Sequence, residues 1–117
     1  MAKPVTWFEI MGENADALRG FYSELFNWNF NVLEGLNYGT TKCDDTGIPG
    51  GVGQAPQGRG WVTFYVQTDD IEATLAQATA LGGAVVMPAR ALPDKTTIAI
   101  LADPEGHAVG VVQPATA

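Results

Sequence analysis

Two tryptophans and a glutamate are the residues of this chain best suited to do chemistry. Trp7 and Trp61 each open a strand-like run, Trp7-Phe8-Glu9-Ile10 and Trp61-Val62-Thr63-Phe64-Tyr65-Val66, and they stand 54 positions apart in a chain of 117. Successive side chains of a strand point to opposite faces. Trp7, Glu9 and Met11 therefore share one face of the first run, and Trp61, Thr63 and Tyr65 share one face of the second. Flat π surfaces with a few polar tips suit the stacking of a planar compound, and a carboxylate beside ring faces attracts a cation. Glu9 could instead abstract a proton or bind a metal. A carboxylate on an inward face is costly unless it meets water, a base such as Arg59 or Arg90, or a ligand. The alternative is that these large side chains fill the interior and leave no cavity.

Other reactive residues carry less. Cys43 is the single cysteine, so no internal disulfide and no cysteine pair with zinc-site spacing exists, which suits a reducing compartment. His107 is the single histidine and reads as a residue leaving a turn. Asp44, Asp45, Asp69, Asp70, Asp103 and Glu105 fall in turns or helix starts, where carboxylates bond locally. A formal charge of −7 repels a phosphate backbone, so no nucleic-acid partner is expected. No run of about 18 apolar residues could span a bilayer and no signal peptide is visible, so the expected location is the cytoplasm, with no membrane partner.

The elements that must position these residues are read from periodicity and punctuation. In the first strand Thr6, Phe8 and Ile10 face a helix, which Asn14 caps and Asn27 closes. Its apolar stripe is Leu18, Phe21, Tyr22 and Leu25. Short strands follow near 28–34, 38–43 and 48–53, with turns at Glu34-Gly35-Leu36-Asn37 and Asp44-Asp45-Thr46-Gly47. The second half repeats the order. Asp69 and Glu72 have capping-box spacing, Ile71, Thr74, Leu75, Ala78 and Leu81 share a helix face, and Gly82-Gly83 ends it. Strands near 84–89, 97–102 and 107–113 complete the unit, with Asp103-Pro104-Glu105-Gly106 as a turn. The composition, 46% hydrophobic and 16% charged, is that of one globular domain over 1–117. Within it lie a βαβββ module over about 3–53, a crossing loop over about 54–60 and a second module over about 61–114.

Phe8-Glu9-Ile10, Phe21-Tyr22 with Glu24-Leu25-Phe26 and Trp28, Thr68-Asp69-Asp70-Ile71 with Ala80-Leu81-Gly82-Gly83, and Asp103-Pro104-Glu105-Gly106-His107 together resemble the vicinal oxygen chelate superfamily. That superfamily includes glyoxalases, bleomycin-resistance proteins and extradiol dioxygenases. The resemblance implies an α+β fold in which two tandem βαβββ modules form a curved, incomplete eight-stranded barrel with helices outside, and it implies a homodimer. In the enzymes a divalent metal sits on His, Glu or Gln side chains from the first and last strands of each module. Carried onto this sequence, the four ligand positions fall on Trp7, near Gly50 or Gly51, on Trp61 and on Gly110. Neither indole nor glycine offers a side-chain lone pair to such a cation, so no metal and no cofactor is expected.

The expected function is a small-molecule binder, holding an aromatic or cationic compound on Trp7, Glu9, Trp61, Thr63 and Tyr65. The alternative is a glyoxalase-like lyase or dioxygenase using unusual metal ligands or Glu9 as a metal-free base. Catalytic residues are otherwise unknown, and the ligand's identity is open.

Overall fold

The computed structural model describes residues 2–42 and 47–115. Cys43 and the Asp44-Asp45-Thr46 part of the expected turn lie outside the described residues. The elements run β1 (Val5–Gly12), α1 (Ala15–Phe26), β2 (Asn31–Leu33), β3 (Tyr38–Thr41), β4 (Gly50–Gln54), β5 (Trp61–Gln67), α2 (Ile71–Ala80), β6 (Ala84–Ala91), β7 (Thr97–Ala102) and β8 (Ala108–Gln113). The class is α+β, and the βαβββ order occurs twice, giving eight strands and two helices among the described residues. No helix among them is long and apolar enough to cross a membrane.

Thr6–Thr63 form one compact unit; Met1–Val5 and Phe64–Ala117 supply the other. In the first, the strand order is β2-β3-β4-β1. β1 and β4 are parallel, with Phe8 opposite Gly50 and Glu9 opposite Gly51, and β3 meets β4 antiparallel with Tyr38 opposite Gly53. In the second, the order is β5-β8-β7-β6, with β5 parallel to β8 and Tyr65 opposite Gly110. Each run is an open sheet that does not close on itself; β2 is an edge of the first and β6 an edge of the second.

The two helices begin in the same way. An α-helix leaves its first four N–H groups without partners inside the helix. At α1 the Asn14 side chain accepts from Ala17 N–H at 3.1 Å, and Gln54, at the end of β4, accepts from Ala15 N–H at 3.1 Å. At α2 the Asp70 side chain accepts from Ala73 N–H at 3.0 Å, and Gln113, at the end of β8, accepts from Ile71 N–H at 2.8 Å. The repeat is therefore written in hydrogen bonds as well as in element order. Asp70, not Asp69, is the cap of α2. The chain is fixed just ahead of it by buried Thr68, whose hydroxyl pairs with that of Thr74 at 2.8 Å and accepts from Asp70 N–H at 3.3 Å.

The buried side of α1 also differs from its apolar stripe. Ala15 and Arg19 are its buried residues, whereas Phe21 and Leu25 are 56% and 59% exposed. The cause is the Arg19 guanidinium, which finds more hydrogen-bond acceptors under the helix than on it. It donates to Val52 O at 3.0 Å, to Asn37 O at 3.4 Å and to Asn37 Oδ1 at 2.8 Å, and it pairs with Asp16 at 2.7 Å. Gly39 makes room for it, since a Cβ there would lie 2.7 Å from Arg19 Cδ. Trp28 is likewise drawn out of the expected β2 strand by rings. It stacks on Tyr22 at 5.4 Å and 18° and meets Phe8 at 5.3 Å, so β2 starts only at Asn31. In the second unit the core is Ile71, Leu75, Ala99 and Val111, while Leu81, expected on the buried face of α2, is 70% exposed.

Arg19→Met keeps the length of the side chain but leaves the Val52 and Asn37 carbonyls without their donor. Losing a charged hydrogen-bonding partner from buried acceptors predicts a destabilisation of about 2–4 kcal/mol. Urea unfolding checks this, and a change below about 0.5 kcal/mol would remove the clamp role assigned to Arg19.

Candidate functional site

On one side of β1, four side chains of the first unit join in a line. Trp7 Nε1 donates to the Tyr38 hydroxyl at 3.1 Å, that hydroxyl donates to Glu9 Oε2 at 3.1 Å, and Trp61 Nε1 donates to Glu9 Oε1 at 3.1 Å. Glu9 is half-buried, and both of its oxygens are engaged by neutral donors. Hydrogen bonds to an ionised acceptor are the stronger kind, so the carboxylate fixes the orientation of Tyr38 and Trp61 as much as they fix it. With their N–H groups committed to these bonds, the two indoles offer ring faces rather than polar edges to anything beside them.

Tyr38 reaches Glu9 because of what precedes it and what lies beneath it. Asn37 takes a left-handed conformation, φ 48°, and is held there by Arg19 and by Gln54 N–H donating to Asn37 O at 3.1 Å. The Tyr38 ring then occupies the direction in which a side chain at Gly51 would project. Glycine is needed there for this close approach.

Trp7, Glu9 and Trp61, singled out in the sequence, thus come together. Thr63 and Tyr65 are buried, at 7% and 6% exposure, and the Tyr65 ring belongs to the other unit, where it covers Gly110. Neither Arg59 nor Arg90 forms an ion pair among the described residues. Tyr38 is the residue that sequence reading missed. Its position just after a turn was the available signal, whereas its register with the glycines of β4 was not legible in the sequence.

His107 stays at the surface, with its side chain 72% exposed, and its ring Nδ1 lies 2.9 Å from Asp103 Oδ2. The Asp103 carboxylate also accepts the backbone N–H groups of His107 and Glu105. These bonds, that from His107 N–H foremost, hold the Asp103 carboxyl below its ordinary value. The pair braces the turn before β8.

The ligand positions implied by the superfamily resemblance do not fit a metal. Trp7 and Trp61 use their only polar hydrogens as donors, and neither indole has a lone pair to offer. The space in front of Gly50 is filled by Phe8, that in front of Gly51 by Tyr38 and that in front of Gly110 by Tyr65. Among the described residues no three His, Cys, Asp or Glu side chains gather.

Trp7 also borders a hollow of about 620 Å³ within the first unit, lined by Trp7, Asn29, Phe30, Asn31, Thr40 and Lys42 among others. That size falls within the range of small-molecule pockets.

The description "glyoxalase-like domain" fits residues 8–112, nearly the whole chain. The chain belongs to that family. Among curated proteins it is similar to "Putative glyoxylase CFP32" of Mycobacterium bovis and of Mycobacterium tuberculosis, 29% identical over 114 residues. The match covers 93% of this chain but only 43% of either relative, so this glyoxalase-like chain spans less than half their length. Among solved structures, a glyoxalase/bleomycin resistance protein/dioxygenase superfamily member from Vibrio splendidus 12B01 matches at TM-score 0.69 and 14% identity. It covers 97% of this chain and 100% of that one. A variant of Streptomyces coelicolor methylmalonyl-CoA epimerase, in complex with 2-nitronate-propionyl-CoA, matches at TM-score 0.66 and 19% identity, covering 99% and 100%. At such identities the likeness is one of fold.

Tyr38→Phe keeps the ring over Gly51 and removes the hydroxyl that links Trp7 to Glu9. The expected result is a changed Trp7 indole N–H resonance in a nitrogen-proton NMR spectrum and a stability loss of about 1–2 kcal/mol. An unmoved resonance would show that the hydroxyl is not the link.

Proposed function

We propose that this glyoxalase-like chain is a small-molecule-binding protein that works without a metal and receives an aromatic or cationic compound against Trp7, Glu9 and Trp61. The observation that carries this reading is the line Trp7–Tyr38–Glu9–Trp61. It turns two indoles into fixed, face-presenting surfaces around one carboxylate, while Trp61 keeps 38% of its surface exposed. Thr63 enters the proposal as a buried residue two positions beyond Trp61 on the same strand, while Tyr65 is buried in the other unit. The roomy hollow beside Trp7 supports binding over a solid interior. A base role for Glu9 is less well supported, because both oxygens already accept hydrogen bonds and a proton acceptor needs a lone pair aimed at its substrate. The small-molecule complex of the Streptomyces epimerase is consistent with binding on this fold, without carrying its substrate over.

The working form we propose is a cytoplasmic homodimer. Its support is exposed apolar surface: Phe21, Leu25 and Phe26 on α1 are each more than half exposed, and so are Val62, Leu81 and Val86. Of these, the Phe21, Leu25 and Phe26 side chains lie on one helix, and a contiguous apolar face marks an association site.

Two measurements test these readings. Saturable quenching of tryptophan fluorescence is expected with planar aromatics such as quinoline or its N-methyl cation. Trp7→Phe and Trp61→Phe should each weaken binding about three- to tenfold, the worth of one aromatic stack. No quenching by any such compound would favour rings that merely fill the interior. Sedimentation equilibrium is expected to give twice the chain mass at micromolar concentration, and a strictly monomeric mass would remove the dimer.

A further inference from the structure

The charged residue in the described lining of the hollow beside Trp7 is opposite in sign to the chain as a whole. The protein carries a formal −7, yet the ionisable group in the described lining is the ammonium of Lys42. Asn29 and Asn31, from the approach to β2 and its first residue, are among the lining residues, as is Thr40, whose hydroxyl donates to Asn31 O at 3.4 Å. Among the described residues Lys42 has no ion-pair partner, and the side chains of Asn29 and Asn31 make no hydrogen bond. Trp7, Phe30 and Pro49 are the apolar residues of the lining. Glu9, the acid nearest in sequence to Trp7, is turned to Tyr38 and Trp61 and is not part of this lining.

The geometry points to an anion subsite: the hollow takes a planar compound carrying a carboxylate or phosphoryl group, the ring against Trp7 and the anion on the Lys42 ammonium and the Asn29 and Asn31 amides. This rests on the small-molecule reading above and sharpens it, because it assigns the ligand a negative charge at this end. The physical reason is that an ammonium and amide N–H groups all donate to an anionic oxygen, whereas a cation placed there would meet Lys42 with like charge. An anion approaching a protein of charge −7 would be disfavoured at long range, so binding should depend on this local cluster and not on the overall field.

The test is a nitrogen-proton NMR titration with four naphthalenes that differ only in their substituent: 2-naphthoate, 2-naphthyl phosphate, 2-naphthamide and 2-naphthylmethylammonium. Both anions are expected to shift the Asn29 and Asn31 side-chain amides together with the Trp7 indole N–H. The neutral amide should bind about three- to tenfold more weakly and the ammonium more weakly still. Lys42→Gln should bring naphthoate down to the affinity of naphthamide, and Lys42→Arg should restore it. Lys42 is exposed and unpaired among the described residues, so the remainder of the Lys42→Gln spectrum should be unchanged. Which anion binds tighter separates a carboxylate ligand from a phosphorylated one. Binding at Trp7 or Trp61 with wild-type naphthoate affinity in Lys42→Gln, or with the ammonium probe preferred, overturns the subsite and leaves the binder reading standing. No shift of Trp7 or Trp61 with any probe overturns both.

Discussion

A single carboxylate organises the inner side of the first unit. Glu9 sits on a strand flanked by β4, half-buried, where an unpaired charge would be costly, and a phenol and an indole donate to its two oxygens. Satisfying it decides the rest. Tyr38 must lean across β4, so Gly51 must lack a side chain; Asn37 must turn through a left-handed conformation, so Arg19 must come in from α1 to hold it. The hydrogen-bonded line thus ties a helix, a turn and three strands to one charge.

The same arrangement leaves the ligand positions that the superfamily resemblance implies without side chains suited to a metal. Removing imidazole ligands could have left a hole. Here indoles stand at two of the positions and aromatic rings lie in front of the other two, at Gly51 and Gly110. Donor groups face Glu9 where a cation would need donors of lone pairs. What the described residues leave there is ring faces, one engaged acid, and beside them a hollow with Lys42 in its lining.

Much of this was legible in the sequence, and what was not has physical causes. Period-two alternation placed Trp7 with Glu9, Asn14 and Asn27 marked both ends of α1, and the tryptophan spacing disclosed the two modules. Tyr38 was missed because its role depends on strand register and on missing Cβ atoms across the sheet, which no local pattern encodes. Arg19 was missed because an arginine in an amphipathic helix ordinarily faces water; only the carbonyls of Val52 and Asn37 turn it inward. The paired glutamines, Gln54 and Gln113, look like ordinary strand ends until each is seen holding the first turn of its helix. Phe21 and Leu25 follow the helical period yet remain exposed, because periodicity reports which residues share a face and not whether anything covers it.

The central claim is that Glu9 is held by hydrogen-bond donors in a place where the superfamily resemblance implies an ion. Metal analysis by mass spectrometry of untagged protein, purified without chelator and then equilibrated with excess zinc, nickel or manganese and desalted, tests it most directly. The account predicts far less than one metal ion per chain, with the indole N–H resonances of Trp7 and Trp61 the same before and after. One tightly retained ion per chain, accompanied by loss of the Trp61 to Glu9 hydrogen bond, would contradict it.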